Sequence, residues 1–269
     1  MSFTRTVMIT GASSGIGMAT AKLFADREWN VIATMRSPEK QTAPLPPNMV
    51  LECLDVLDKR KISAAVDAGL ARFGKIDVLV NNAGYGLVGP FEASTSEQIE
   101  RQFATNVFGL MNVTRELLPH FREQKSGTII NVASMGGRIT FPLYSLYHAT
   151  KWAVEGFTES LQFELESFGI KVKIIEPGPI RTDFYERSMD VITKEGLTEY
   201  DDYVARTMPA MQKAGANAPG PDLVARVIFA AANDGNNKLR YQANSAGILM
   251  ARRLLPEQMF YKVVRAAVK

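Results

Sequence analysis

Short, nearly continuous apolar runs, IDVLV at 76–80 and GTIINVA at 127–133 among them, alternate with longer helix-period segments from the N-terminus to about Lys173. A strand apolar on both sides needs cover on both faces, and strands separated by a helix's worth of chain pair in parallel, so the alternation reads as repeated βαβ units. It predicts strands at Arg5–Thr10, Asn30–Thr34, Met49–Leu54, Ile76–Asn81, Gly127–Ala133, Lys171–Glu176 and Lys238–Gln242. The expected fold is therefore α/β: a Rossmann-type, doubly wound, seven-stranded parallel sheet with helices on both faces, in one domain spanning 1–269. The texture changes only over Asp183–Pro221, which is rich in Met, Tyr and charge and carries no strand pattern. Because strand and helix signals resume after it, this stretch is expected to cover a site as a lid and not to link domains.

Composition removes several function classes. A net charge of +3 is too small to make nucleic acid the main partner. Cys53 is the only cysteine and there are two histidines, so no internal disulfide forms, a zinc site of the usual kind is not expected, and no metal is assigned. A reducing, cytoplasmic setting is the default. The first strand follows Met1 almost at once, leaving no room for a signal peptide, and no apolar stretch approaches the ~18 residues a spanning helix needs.

Two local motifs carry chemistry. Directly after the first strand stands TGASSGIG, with Gly11, Gly15 and Gly17, followed by a helix with apolar periodicity. Glycines let the backbone turn and approach a pyrophosphate, and the helix N-terminus offers unpaired N–H donors, so the loop is read as a dinucleotide cradle. Later, in YSLYHATKWAVEGF, Tyr147 precedes Lys151 by one helical turn on the same face. A nearby ammonium stabilises a phenolate and lowers the phenol's pKa, which suits an acid/base catalyst, although such a spacing also arises by chance. His148, on an adjacent face, and His120 are read as structural.

These motifs together resemble the short-chain dehydrogenase/reductase family. The glycine spacing G-x-x-x-G-x-G matches, as do Asn81-Asn82-Ala83-Gly84 after the fourth strand, Asn106, Ser134, Tyr147 with Lys151, and Pro177-Gly178 followed by Thr182. The resemblance runs to about Thr182 and weakens beyond, and the run SMGGRITFPLYSLYHATKWAVEGF is especially similar to the retinol and 17β-hydroxysteroid members. It implies a catalytic set of Asn106, Ser134, Tyr147 and Lys151: Ser134 polarises a substrate carbonyl, Tyr147 exchanges its proton, Lys151 lowers the Tyr147 pKa and bonds the nicotinamide ribose, and Asn106 holds a water. It also implies coenzyme contacts from Gly11, Ser13, Ser14, Gly15, Ile16, Gly17, Asp55, Val56, Asn82, Ala83, Gly84, Tyr147, Lys151, Pro177, Gly178, Ile180 and Thr182. One departure is Glu28, where the family usually has Gly in the turn before the second strand.

The residues choose between coenzymes. NAD-binding chains of this type place a carboxylate past the second strand to accept from the ribose 2′-hydroxyl; here the place reads Thr34-Met35-Arg36-Ser37. Arg36 offers a charged fork suited to a 2′-phosphate, so NADPH is expected ahead of NAD, even though Ser14 is not basic.

Methionines and aromatics of the lid, Phe184, Tyr185, Met189 and Met211 among them, suit a lipophilic ketone, aldehyde or alcohol, a steroid or retinoid being one option. They equally suit simple packing of the lid on itself. Met135, Phe141, Leu143 and Tyr144, with Tyr85 and Leu87, are expected along the same cleft, with Met135, Phe141, Tyr144, Phe184 and Tyr185 as the substrate contacts. The basic, amphipathic C-terminus, ILMARRLLPEQMFYKVVRAAVK, is expected to pack on its own domain or a neighbouring subunit, the alternative being peripheral contact with an anionic membrane. The resemblance implies a homodimer or homotetramer. Against an NADPH-dependent oxidoreductase stand a non-catalytic nucleotide-binding regulator, which would not need the Tyr147–Lys151 pair, and a nucleotide-sugar epimerase or dehydratase, for which the chain is short.

Overall fold

The computed structural model describes residues 4–182 and 189–267. All seven expected strands form: β1 (Thr6–Ile9), β2 (Asn30–Met35), β3 (Met49–Cys53), β4 (Val78–Asn81), β6 (Gly127–Val132), β7 (Ile170–Pro177) and β9 (Arg240–Ala243). They make one sheet in the order β3-β2-β1-β4-β6-β7-β9, parallel at every pairing. The order reverses at β1, which lies between β2 and β4 and so creates a crevice at the carboxyl edge.

Alternation along each strand sends side chains into two cores. Val7, Ile9, Val31, Ala33, Val78 and Val80 pack under α1 (Gly15–Asp26) and α7 (Asp222–Asn233), through Phe24, Val224 and Ile228. Met8, Ile32, Leu79 and Ile129 face α2 (Lys59–Phe73), α4 (Leu110–Glu123) and α5 (Ser145–Leu165), through Ile62, Leu117, Phe121 and Leu161. At roughly 25 cal/mol per Å² of apolar surface, this two-sided burial is the main force holding the layers together. Asp58 starts α2 by accepting from the backbone N–H of Arg60 and Lys61, and a Thr95–Gln98 capping box starts α3 (Ser96–Phe103). Glu28 takes φ 62°, so the turn ahead of β2 keeps the left-handed geometry that glycine adopts more cheaply.

Two features depart from the sequence reading. A second, two-stranded parallel sheet joins β5 (Gly86–Val88) to β8 (Met189–Val191), so the stretch expected to lack strands contains one. At three residues each, neither strand is long enough to show a period. The run 104–109 between α3 and α4 is a π-helix, a form frequent at functional sites. The described part of the insertion also contains α6 (Asp201–Ala216), whose Met208 is buried with Val88, Leu143 and Tyr144. At the C-terminus, α8 (Ala246–Leu254) and α9 (Glu257–Ala267) seat Phe260 and Val264 on Ile139, as expected of a segment that packs on its own domain. No helix among the described residues is long and apolar enough to cross a membrane.

Candidate active site

A cleft of about 580 Å³ opens at the carboxyl edge of the sheet. The β1–α1 turn contributes Gly11, Ser13, Ser14, Gly15 and Ile16 to its wall; Arg36 comes from the end of β2, and Asp55 and Val56 from beyond β3. Asn82, Ala83 and Gly84 follow β4, and Pro177, Gly178, Ile180 and Thr182 follow β7. Gly17 stands behind this wall and not in it. A Cβ there would lie 2.3 Å from the Gly11 carbonyl oxygen and 2.6 Å from Asn82 Nδ2, so only glycine lets the helix start nest against the turn. The turn is tied to β4 from both sides: Asn82 Nδ2 donates to the carbonyls of Thr10 and Gly11 at 3.0 Å, and Thr10 Oγ1 accepts from the N–H groups of Asn82 and Ala83. Such a turn, with backbone exposed between two strand ends and no side chain in the way, fits a dinucleotide pyrophosphate. Arg36 is exposed and borders the cleft; Asp55 accepts from Leu57 N–H and borders it too, while Asp58 is the cap of α2.

Ser134, Tyr147 and Lys151 also line this cleft. Since β6 and β7 flank β4 on the side away from β2 and β3, these groups occupy the other half of the crevice from Arg36 and Asp55. Ser134 Oγ accepts from Gly136 N–H at 3.0 Å, which occupies a lone pair and leaves its proton available to an oxygen in the cleft. One turn apart on α5, Lys151 Nζ sits 5.7 Å from the Tyr147 ring centroid and donates to the Val132 carbonyl at 3.0 Å. Burial pushes the Lys151 ammonium down from its ordinary value to about 8, against the attraction of Glu155, one turn further along α5. Glu155 is itself pushed up to about 7 by burial and by the charge of Glu176, with Arg240 and Arg138 pulling the other way. Arg240 Nε reaches Glu155 at 3.0 Å and Glu176 at 3.5 Å, and Arg138 reaches Glu176 at 3.2 Å.

Asn106 does not line the cleft. Buried in the π-helical run, its Oδ1 accepts from Tyr85 N–H, while Nδ2 donates to the Tyr85 carbonyl at 2.8 Å and to Thr150 Oγ1 on α5. It thereby clamps the chain after β4 onto the helix that carries Tyr147 and Lys151. His148 borders the cleft, contrary to the face expected for it, but both ring nitrogens are spent: Nε2 accepts from Phe141 N–H and Nδ1 donates to the Gly136 carbonyl. Burial pushes it down to about 4, so it is a neutral brace for the loop 136–141. His120 likewise braces Ile76, accepting from its backbone N–H.

Met135, Phe141, Tyr144 and Tyr85 line the cleft as expected. Leu87 and Leu143 do not: each is buried in a small apolar cluster, Leu87 with Ile192 and Leu143 with Met208, which hold β5, β8 and α6 together. Phe184 and Tyr185 lie outside the described residues. Met211 and Ala214 of α6 complete the apolar wall, and Arg101 of α3 and Asp190 of β8, which the sequence reading did not single out, form an ion pair on it. No group of three or more His, Cys, Asp or Glu side chains among the described residues is arranged to hold a metal ion.

The family model for short chain dehydrogenases matches residues 5–191. Among curated relatives, an oxidoreductase of Schizosaccharomyces pombe is 42% identical over 72% of this chain and 81% of its own length. The 17-beta-hydroxysteroid dehydrogenase type 1 of Mus musculus is 34% identical over 91% and 75%, and retinol dehydrogenase 8 of Bos taurus 32% over 90% and 82%. Of the solved structures, a short-chain dehydrogenase from Streptomyces avermitilis superposes with a TM-score of 0.80 at 33% identity, covering 98% of both chains. Two more distant ones carry different coenzymes: ElxO with NADP (TM-score 0.73, 27% identity, 91% and 99% covered) and a Burkholderia phymatum enzyme with NAD (0.79, 25%, 97% and 96%). With a matching family model and relatives above 30% identity along most of their length, the chain belongs to the short-chain dehydrogenase/reductase family of oxidoreductases.

Proposed function

We propose that this protein is an NADP(H)-dependent oxidoreductase that reduces a lipophilic ketone or aldehyde, or oxidises the corresponding alcohol. The observation that carries this reading is the convergence of Ser134, Tyr147 and Lys151 in one half of a crevice whose other half is a glycine cradle ending at Arg36. The nicotinamide, when bound, supplies or receives the hydride. The turn 11–17, Asn82–Gly84 and Pro177–Thr182 hold the dinucleotide, and the Arg36 guanidinium meets a 2′-phosphate that a carboxylate at that place would repel. Ser134, its lone pair fixed by Gly136, donates to the substrate carbonyl oxygen and polarises it. Tyr147 gives its proton to that oxygen in reduction and recovers it in oxidation, and the Lys151 charge favours the phenolate that results.

Substrate character follows from the walls. Met135, Phe141, Tyr144 and Met211 present apolar and aromatic surface, and the similarity to steroid and retinol dehydrogenases points the same way. The described part of the insertion, which brings Asp190, Met211 and Ala214 to the cleft, acts as its lid. Loss of NADPH absorbance in the presence of a panel of lipophilic carbonyls tests the activity. Michaelis constants for the two coenzymes test Arg36: Arg36→Asp is expected to raise that for NADPH by about tenfold or more and to leave NADH little changed. An enzyme that prefers NADH, or an Arg36→Asp variant indifferent to the phosphate, refutes the assignment.

A further inference from the structure

On the wall of the cleft three side chains meet, from α3, from β8 and from the loop ahead of β5. Asp190 stands in β8, in register with Leu87 of β5, and forms an ion pair with Arg101 Nη2 on α3. Arg101 Nε donates to Tyr85 Oη at 3.2 Å, and the guanidinium lies over the Tyr85 ring, 5.2 Å from its centroid. Tyr85 in turn has its backbone clamped by Asn106 and by Gln102, whose Nε2 donates to the Tyr85 carbonyl. The guanidinium is therefore held in orientation by stacking, by a hydrogen bond and by an ion pair, and the ring it stacks on is fixed to the helix that bears the reacting groups.

This arrangement spends part of its capacity. Arg101 uses Nε and Nη2, leaving the Nη1 donors without a partner among the described residues; Asp190 uses Oδ2 and leaves Oδ1 likewise. Both side chains line the cleft and both are about half exposed. The spare Nη1 donors and the spare Oδ1 acceptor of one ion pair, on a wall shared with Met211 and Tyr144, match a hydroxyl, which accepts from one side chain and donates to the other. Because the pair is neutral overall, a carboxylate in that place would meet Asp190 and an ammonium would meet Arg101; an uncharged group meets neither penalty.

We infer that Arg101 and Asp190 form a second recognition point for the substrate, selecting a lipophilic carbonyl compound that carries an uncharged hydroxyl remote from the reacting carbonyl. The inference rests on the oxidoreductase reading for the reacting end of the cleft and adds the chemistry of the other end. Arg101 and Asp190 are specificity residues and take no part in proton or hydride transfer.

The test uses two ketones of one rigid apolar skeleton, with and without a hydroxyl at the far end, against wild type, Arg101→Met and Asp190→Asn. Wild type is expected to favour the hydroxy-ketone by about tenfold in kcat/KM, a modest ratio because the pair is half open to water, and to do so through KM. Arg101→Met keeps the length of the side chain and removes its donors, so the ratio of kcat/KM between the two ketones should fall to about one. A clasp that serves only to pin β8 to α3 would instead lower the melting temperature and affect both ketones alike. Equal kcat/KM for the two ketones in wild type, or an Arg101→Met enzyme that keeps the preference, overturns the inference. Should neither ketone be reduced, the oxidoreductase reading fails, and calorimetric titration of both compounds into wild type and Arg101→Met still decides the hydroxyl subsite.

Discussion

Replacing Lys151 by methionine should abolish turnover and at the same time make the fold more stable near neutral pH. The buried ammonium is depressed from 10.5 to about 8. That shift corresponds to about 3 kcal/mol charged against the folded state, because protonating Lys151 is easier in the unfolded chain. The penalty is fully present below pH 8, where the folded protein must also carry the proton, and fades as pH rises toward 10.5. Methionine has similar length and no charge, so the substitution removes the penalty and loses the hydrogen bond to the Val132 carbonyl at 3.0 Å, which costs about 1–2 kcal/mol. The net gain at pH 7 is about 1–2 kcal/mol, or a melting temperature higher by roughly 2–6 °C for a chain of this size. At pH 10 the wild-type penalty shrinks to about 1 kcal/mol, and the lost hydrogen bond then cancels the advantage. Thermal unfolding of both proteins at the two pH values reads the effect, since apart from Glu155, which senses the Lys151 charge, the titrations are common to them. A variant less stable than wild type at pH 7, or a difference that does not change with pH, would show that burial of this ammonium is not costly and would refute the reasoning.

Tyr147→Phe should bind NADPH with unchanged affinity by fluorescence titration yet lose turnover by on the order of 10²-fold or more, since the proton donor goes and the cradle stays; retained activity sinks its role. Glu155→Gln removes a charge that supports the Lys151 ammonium, so the fall of reductase activity at alkaline pH should begin at lower pH. The two pH profiles should coincide below about 7, where Glu155 is itself protonated; divergence on that side would contradict the assignment. Gly17→Ala forces a methyl to 2.3 Å from the Gly11 carbonyl and should weaken coenzyme binding by at least tenfold. Gly156→Ala, in α5 with nothing within 4 Å of the added carbon, should instead raise stability by about 0.5–1 kcal/mol in urea unfolding, and a loss there would count against the helix geometry.

What could be read from the sequence is what depends on local pattern. The central strands announce themselves because a parallel strand buried on both faces is apolar almost throughout, as Val78, Leu79 and Val80 are. The cradle shows because tight turns and close approach restrict the choice to glycine, and Tyr147 with Lys151 shows because helical spacing is fixed. Contacts settled by partners distant in sequence do not show. Strands β5 and β8 pair Gly86 with Met189 and Leu87 with Asp190 over three residues, and neither alone carries a period. The pairing of Arg101 with Asp190 exists only because of that register, so nothing near either residue marks it. Leu87 and Leu143 follow the same rule: an apolar residue after a strand can face a cleft or a neighbouring loop, and here β8 and α6 supplied the loop side. Asn106 is expected at the site only through the family resemblance; its clamp on Tyr85 belongs to the π-helical run, which no simple periodicity signals.

A sheet in which every neighbouring pair runs parallel has no hairpin from which to grow. Thr10 meets Asn82 only after some seventy residues of intervening chain have been looped back, and the entropy of that closure must be met before any contact there is rewarded. The coenzyme turn is therefore expected to close later than the helices, whose contacts are local. Recovery of nucleotide binding during refolding should lag behind recovery of helical signal, and a dinucleotide in the medium should trap finished molecules without speeding their formation.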